Sequence, residues 1–125
     1  MLKQVLIVED SEACAETLQI ALESIPGLET RVIGSPRAAI MALRESHGEI
    51  AAIVTDLHLP QSDGFDLIRQ LRAEPRFARL PILLISGDSD PLLAEKALAQ
   101  GADAFFPKPY SPSAVRKKLE QLLCL

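Results

Sequence analysis

Val5-Leu6-Ile7-Val8-Glu9-Asp10 decides how the rest of the chain is read. Four consecutive aliphatic residues with no polar alternation mark a strand covered on both faces, as in a parallel sheet. The run stops at two carboxylates. The pattern returns three times: Ala51–Thr55 leads into Asp56, Ile82–Ile85 into Ser86, and Ala104–Pro107 into Lys108-Pro109. A fifth run, Arg31–Ile33, ends at Gly34 with no reactive group attached. Ligands of open parallel sheets lie beyond the carboxyl ends of the strands. Glu9, Asp10, Asp56, Ser86 and Lys108 are therefore expected to converge on one edge.

The segments between the runs read as helices. The first spans about Glu12 to Ile25 and stops at Pro26-Gly27. Three later starts share one signal, a capping side chain followed by Pro: Ser35-Pro36, Asp90-Pro91 and Ser111-Pro112. The cap accepts from a free backbone N–H, and Pro has no N–H to leave unpaired. These place helices over about 36–46, 91–100 (closing at Gly101) and from Pro112 almost to the end of the sequence. Phe65, Ile68 and Leu71 have helical spacing, which places another helix over about 65–73. The remaining strands fall at about 30–33, 52–55, 81–85 and 104–106. Five βα units with short links predict one α/β domain, a doubly wound parallel five-stranded sheet spanning 1–125, with no output domain in the chain.

Composition narrows the function. The 125 residues carry 13 Lys+Arg against 17 Asp+Glu, net −4, which argues against direct nucleic-acid binding. Arg116-Lys117-Lys118 is a lone basic cluster and reads as a solvated helix face. Aromatic residues are 4%, without Trp, so the core is aliphatic. Cys14 and Cys124 lack metal or redox spacing, and Cys14 falls on the stripe Cys14, Leu18, Ala21, Ile25 as a small core residue. No signal peptide and no membrane-spanning stretch is visible, which predicts a cytoplasmic protein.

Glu9, Asp10 and Asp56 at two strand ends crowd three negative charges together. Unpaired, they repel and raise one another's pKa. A hard divalent cation with oxygen ligands, Mg²⁺ or Mn²⁺, relieves this. Lys108 adds a mobile cation, and Ser86 a hydroxyl beside the open space of Gly87. A carboxylate, a metal, a cation and a hydroxyl together suit phosphoryl transfer to a carboxylate. Plainer readings stand beside this one. Asp56 could be a cap, Lys108 a solvated surface lysine, Ser86 a turn residue and Phe105 ordinary core, with Phe106 the better core candidate of the two. His58 could simply face solvent.

Taken in order, several segments resemble the response-regulator receiver domains of two-component signalling, the CheY-like family. They are Val5-Leu6-Ile7-Val8-Glu9-Asp10-Ser11, Val54-Thr55-Asp56-Leu57-His58-Leu59-Pro60, Asp63-Gly64, Leu84-Ile85-Ser86-Gly87, Gly101-Ala102-Asp103 and Phe106-Pro107-Lys108-Pro109. The resemblance covers essentially the whole chain and implies the sheet order 2-1-3-4-5. It also implies a role for each matching residue. Asp56 is the phosphoacceptor. Asp10 binds Mg²⁺ directly, Glu9 is the second acidic position, and the backbone carbonyl of His58 completes the metal set. Ser86 is the hydroxyl that moves onto the phosphoryl group, Lys108 the lysine that pairs with it, and Phe105 the switch aromatic. The Lys108–Pro109 bond is cis, and Pro60 and Asp63-Gly64 form the loop into the third helix. Departures are Phe in place of Tyr at 105, Ser in place of the commoner Thr at 86, and Pro107 directly before Lys108.

The implied partners are a sensor histidine kinase or phosphotransfer protein, and a downstream effector bound through the fourth helix, fifth strand and fifth helix. The protein is expected to be a monomer or weak homodimer. It is expected to catalyse nothing beyond its own phosphorylation and dephosphorylation. Two rivals remain. A haloacid-dehalogenase-type Mg²⁺ phosphatase also uses an Asp nucleophile, but it needs a second Asp where His58 stands. A receiver-like adaptor would bind partners without phosphorylation.

Overall fold

The all-apolar runs form the interior of one sheet. The computed structural model describes residues 3–59 and 62–125. Pro60, assigned above to the loop before the third helix, lies outside the described residues. Strands β1 (Lys3–Val8), β2 (Leu28–Ile33), β3 (Ile50–Asp56), β4 (Ile82–Ser86) and β5 (Ala104–Pro107) are all parallel and lie in the order 2-1-3-4-5. They alternate with helices α1 (Glu12–Glu23), α2 (Pro36–Glu45), α3 (Gly64–Arg72), α4 (Leu93–Gln100) and α5 (Pro112–Leu122). Two further elements are short. A hairpin pairs His58–Leu59 with Ser62–Asp63, and a 3₁₀ turn covers Pro75–Phe77.

Side chains of successive strand residues point to opposite faces, and this divides the core. Leu6, Val8, Ile53, Ile82 and Leu84 pack against α2, α3 and α4. Val5, Ile7, Val54, Leu83 and Ile85 pack against α1 and α5 through Leu18, Leu22, Val115 and Leu119. Burial on both faces is why these strands show no alternation.

The register sets the level at which each chemical group leaves the sheet. Val8 lies opposite Thr55, so Glu9 and Asp56 emerge at the same height. Asp56 lies opposite Ile85, and Ser86 opposite Pro107, so Ser86 and Lys108 follow one step further on. At the other end of the sheet Arg72 closes the structure. It donates to the carbonyls of Gly101, Phe77 and Leu80 at 2.8–2.9 Å and pairs with Asp103 at 3.1 Å. Asp103 in turn accepts from Ile82 N–H at 2.8 Å.

Several details differ from the sequence reading. Ser35 and Ser111 do cap their helices, accepting from Ala38 and Ala114. Asp90 does not cap a helix starting at Pro91. One of its carboxylate oxygens accepts from Leu92 N–H at 2.9 Å and the other from Lys96 at 2.7 Å. This local turn competes with the helix, so α4 begins only at Leu93. The buried stripe of α1 is Ala15, Leu18 and Leu22, continued by Ile25, while Cys14 is only half-buried. Phe105 and Phe106 are both half-buried, on opposite faces.

Gly64 brings α3 against the site. A Cβ there would lie 2.7 Å from the Asp56 carbonyl and 2.9 Å from a Leu84 methyl, and Gly64 N–H donates to Leu57 O at 2.6 Å. Gly64→Ala is predicted to destabilise the fold by about 1–3 kcal/mol in urea titrations. Gly34→Ala, where nothing lies within 4 Å of the added carbon, is the control. Equal midpoints for the two variants would refute the close-packing argument.

Candidate functional site

Three charged side chains meet at the carboxyl edge. Asp56 ends β3 and is 8% exposed. One of its oxygens accepts from the His58 backbone N–H at 3.1 Å, and the other accepts from Lys108 Nζ at 2.5 Å. Lys108 Nζ also lies 3.8 Å from Glu9 Oε1. The opposite oxygen, Glu9 Oε2, is buried and has no hydrogen-bond partner. One ammonium thus faces two buried carboxylates and cannot serve both fully.

The electrostatics follow. Burial is the largest influence on Glu9 and raises its pKa; the neighbouring Asp56 carboxylate adds to it. Lys108 and the Cys14 thiol pull the other way, and the result is about 7 against an ordinary 4.5. Burial alone would lower the Lys108 pKa. The hydrogen bond and charge of Asp56, with Glu9 behind them, more than offset this and raise it.

The remaining residues are placed unevenly. Asp10 stands in solvent beside the entrance, so the three acids assumed to crowd together are two buried and one exposed. Ser86 is fully buried, and its hydroxyl accepts from Asp88 N–H at 3.0 Å. Lys108 is tied to the same strand end, its backbone N–H donating to Ser86 O at 2.8 Å. Its aliphatic stem passes 3.7 Å from where a Cβ on Gly87 would sit. The Lys108–Pro109 bond is cis. Phe105 lies opposite Leu84 and packs toward the α3–α4 side. The His58 imidazole reaches over the entrance to Asp88, 3.4 Å away.

The sequence reading left two residues out of the site. Cys14 and Tyr110 line the small cavity beneath Glu9, Asp56 and Lys108. Burial raises the Tyr110 pKa. Each follows a site residue closely, Cys14 in the first turn of the helix after Asp10 and Tyr110 two positions beyond Lys108. That proximity was the available signal.

With this geometry in view, the match to known proteins is informative. The model of the response regulator receiver domain family matches residues 5–120. The chain belongs to this family. It is 34% identical over 112 residues to the DNA-binding response regulator MtrA of Mycolicibacterium paratuberculosis, covering 90% of this chain and 47% of MtrA. It is 25% identical over 120 residues to the chemotaxis protein CheY1 of Helicobacter pylori, covering 96% of each. The chain spans about half the length of MtrA and of the regulatory protein GltR of Pseudomonas aeruginosa. Among solved structures, a putative response regulator from Chloroflexus aurantiacus superposes with TM-score 0.89 at 26% identity over all of both chains. The receiver domain of a signal transduction histidine kinase from Syntrophus aciditrophicus gives 0.85 at 32% identity, covering 98% of this chain and 90% of that one.

A receiver domain of two-component signalling typically uses Mg²⁺, and the site can be tested for it. The donors Glu9, Asp10 and Asp56 are all oxygen, which suits a hard cation. The unpartnered buried oxygen of Glu9 is the place where positive charge is missing. No three described His, Cys, Asp or Glu side chains are already gathered to hold a metal, so Asp10 would have to turn inward. Among the described residues no helix is long and apolar enough to cross a membrane.

A pH effect follows from Glu9. Its pKa is higher folded than unfolded, so its contribution to stability is fully present below pH 4.5 and is lost as pH rises through about 7. In chelator, wild-type receiver is predicted to lose on the order of 1–3 kcal/mol between pH 5 and pH 8 relative to Glu9→Gln. Urea titrations of both proteins at each pH check this. Parallel pH profiles would contradict it.

Proposed function

We propose that this receiver domain takes a phosphoryl group from a histidine kinase or phosphotransfer protein onto Asp56. The observation that carries the proposal is the 2.5 Å contact of Lys108 with a buried Asp56 beside the unpartnered oxygen of Glu9. In the transfer, an Asp56 carboxylate oxygen bonds to phosphorus as the phosphorus–nitrogen bond to the donor histidine breaks. The proton that restores the neutral imidazole comes from solvent, and Asp56 becomes an acyl phosphate. Glu9, Asp10, Asp56 and the His58 carbonyl would hold Mg²⁺, which would supply neutralisation of phosphoryl charge.

The chain's own groups do the rest. Lys108 already donates to Asp56, and its raised pKa keeps it charged to pair with a phosphoryl oxygen. The Ser86 hydroxyl now accepts from Asp88 N–H, which leaves its own proton free to donate to the new oxygens. Turning Ser86 releases the Asp88 amide and shifts the start of the 87–92 loop. Lys108 N–H on Ser86 O carries that shift to β5, where Phe105 packs. The surface formed by α4, β5 and α5 then presents a different face to an effector protein. In this reading the domain is a switch and not an enzyme beyond its own phosphorylation and dephosphorylation.

The test is mass spectrometry of the intact protein incubated with Mg²⁺ and acetyl phosphate. Wild type is predicted to gain one base-labile phosphoryl adduct, and Asp56→Asn none. Chelation of Mg²⁺ is predicted to suppress the wild-type adduct. The same adduct on Asp56→Asn would overturn the assignment.

A further inference from the structure

Two helix faces outside the site carry complementary patterns. α1 contains no basic residue and presents Glu16, Ile20 and Glu23 on one stripe, four and three residues apart. Ile20 is 70% exposed, more than any other large hydrophobic side chain among the described residues. α2 repeats the spacing with the opposite charge: Arg37, Met41 and Arg44. Met41 is 51% exposed and stands on the wall of a groove of about 580 Å³ that reaches across to Ser62 and Gln70. Each stripe therefore sets one large apolar side chain between two like charges, and the two stripes are matched in length and opposite in sign.

The fold places these stripes on different layers. α1 packs with α5 on one face of the sheet, and α2 packs with α3 on the other. Within one molecule they cannot meet, and a two-fold dimer with either stripe on its axis would set like charge on like charge. A second copy arranged head to tail satisfies both the charges and the apolar groups. Two of the charges are already engaged within the chain, Arg44 with Glu74 at 3.2 Å and Glu23 with the Thr30 amide at 3.0 Å. Glu16 and Arg37 form no salt bridge among the described residues.

We propose that the chain associates head to tail with copies of itself, α1 of one molecule lying along the α2 groove of the next. Ile20 packs against Met41, and Glu16 and Glu23 face Arg37 and Arg44. A single helix face buries well under the ~800 Å² per partner of a stable complex, so association is weak and depends on concentration. Because the contact is heterologous and its two halves lie on opposite layers, it propagates beyond a dimer. Added salt weakens it, since the charges are at the surface.

Sedimentation velocity over a concentration series up to ~1 mM, a range that reveals weak association, tests this. Wild type is expected to rise steadily in average mass without a plateau at the dimer, and less so in high salt. Ile20→Asp and Met41→Asp, each at an exposed position, are each expected to remain monomeric with wild-type urea midpoints. Mixed in equal amounts they are expected to form a one-to-one dimer and nothing larger, because each variant retains the half that the other lost. If either variant is unfolded, Ile20→Gln and Met41→Gln replace the pair with the same expectations. A wild type that stays monomeric assigns the stripes to solvent or to another protein and overturns the proposal. A plateau at the dimer, or a mixture that stays monomeric, overturns it as well.

Discussion

Two carboxylates share one buried corner, and among the described residues only one ammonium reaches them. That imbalance follows from register. Because Val8 and Thr55 are paired, β1 and β3 deliver Glu9 and Asp56 at the same height. β5, two strands away, delivers the compensating charge on the long, flexible stem of Lys108. The corner is then short of positive charge when Glu9 is ionised, and Glu9 holds its proton well above the usual carboxylate range. The site is electrostatically unfinished in a definite sense: a buried oxygen lacks a partner. A cation or a proton can meet that need, and the two compete for the same atom. A divalent cation, which the family typically uses, would meet that need at this corner.

The groups around this corner are joined through backbone as well as through side chains. Gly64 places the start of α3 directly on the Asp56 carbonyl, with no room for a side chain. Lys108 and Ser86 belong to adjacent strand ends and share a backbone hydrogen bond. Neither can be displaced far without the other. A local change in charge at Asp56 is therefore felt first by the ends of β4 and β5, whereas β2, which contributes nothing to the site, lies at the far edge of the sheet.

Much of this was legible in the chain itself. Strands buried on both faces write themselves as unbroken aliphatic runs, and the polar residues that end four of the five mark the edge of the candidate site. Ser35 and Ser111 announced their helices because a hydroxyl and a following Pro serve the same unpaired amides. Asp90-Pro91 looked identical in one dimension. Its carboxylate instead closes a turn and holds Lys96, a choice settled by a residue six positions away. Cys14 and Ala15 are both small, so spacing alone could not say which belonged to the core stripe. Glu9 and Asp10 are neighbours of like chemistry, yet one is buried and the other exposed. That difference arises from the direction in which β1 ends and not from composition.

The clasp made by Arg72 has a consequence for where motion can occur. It fastens the end of α3, the entry to β4 and the turn from α4 into β5 at the amino edge of the sheet. The chain between Ser86 and Gly101 is then a span pinned at both ends, with its slack gathered at the carboxyl edge. Such a span behaves like a hinged lever whose fulcrum is the guanidinium. A displacement at Ser86 would then move the near end of α4 while Gly101 stayed in place, tilting the helix and not carrying it along bodily.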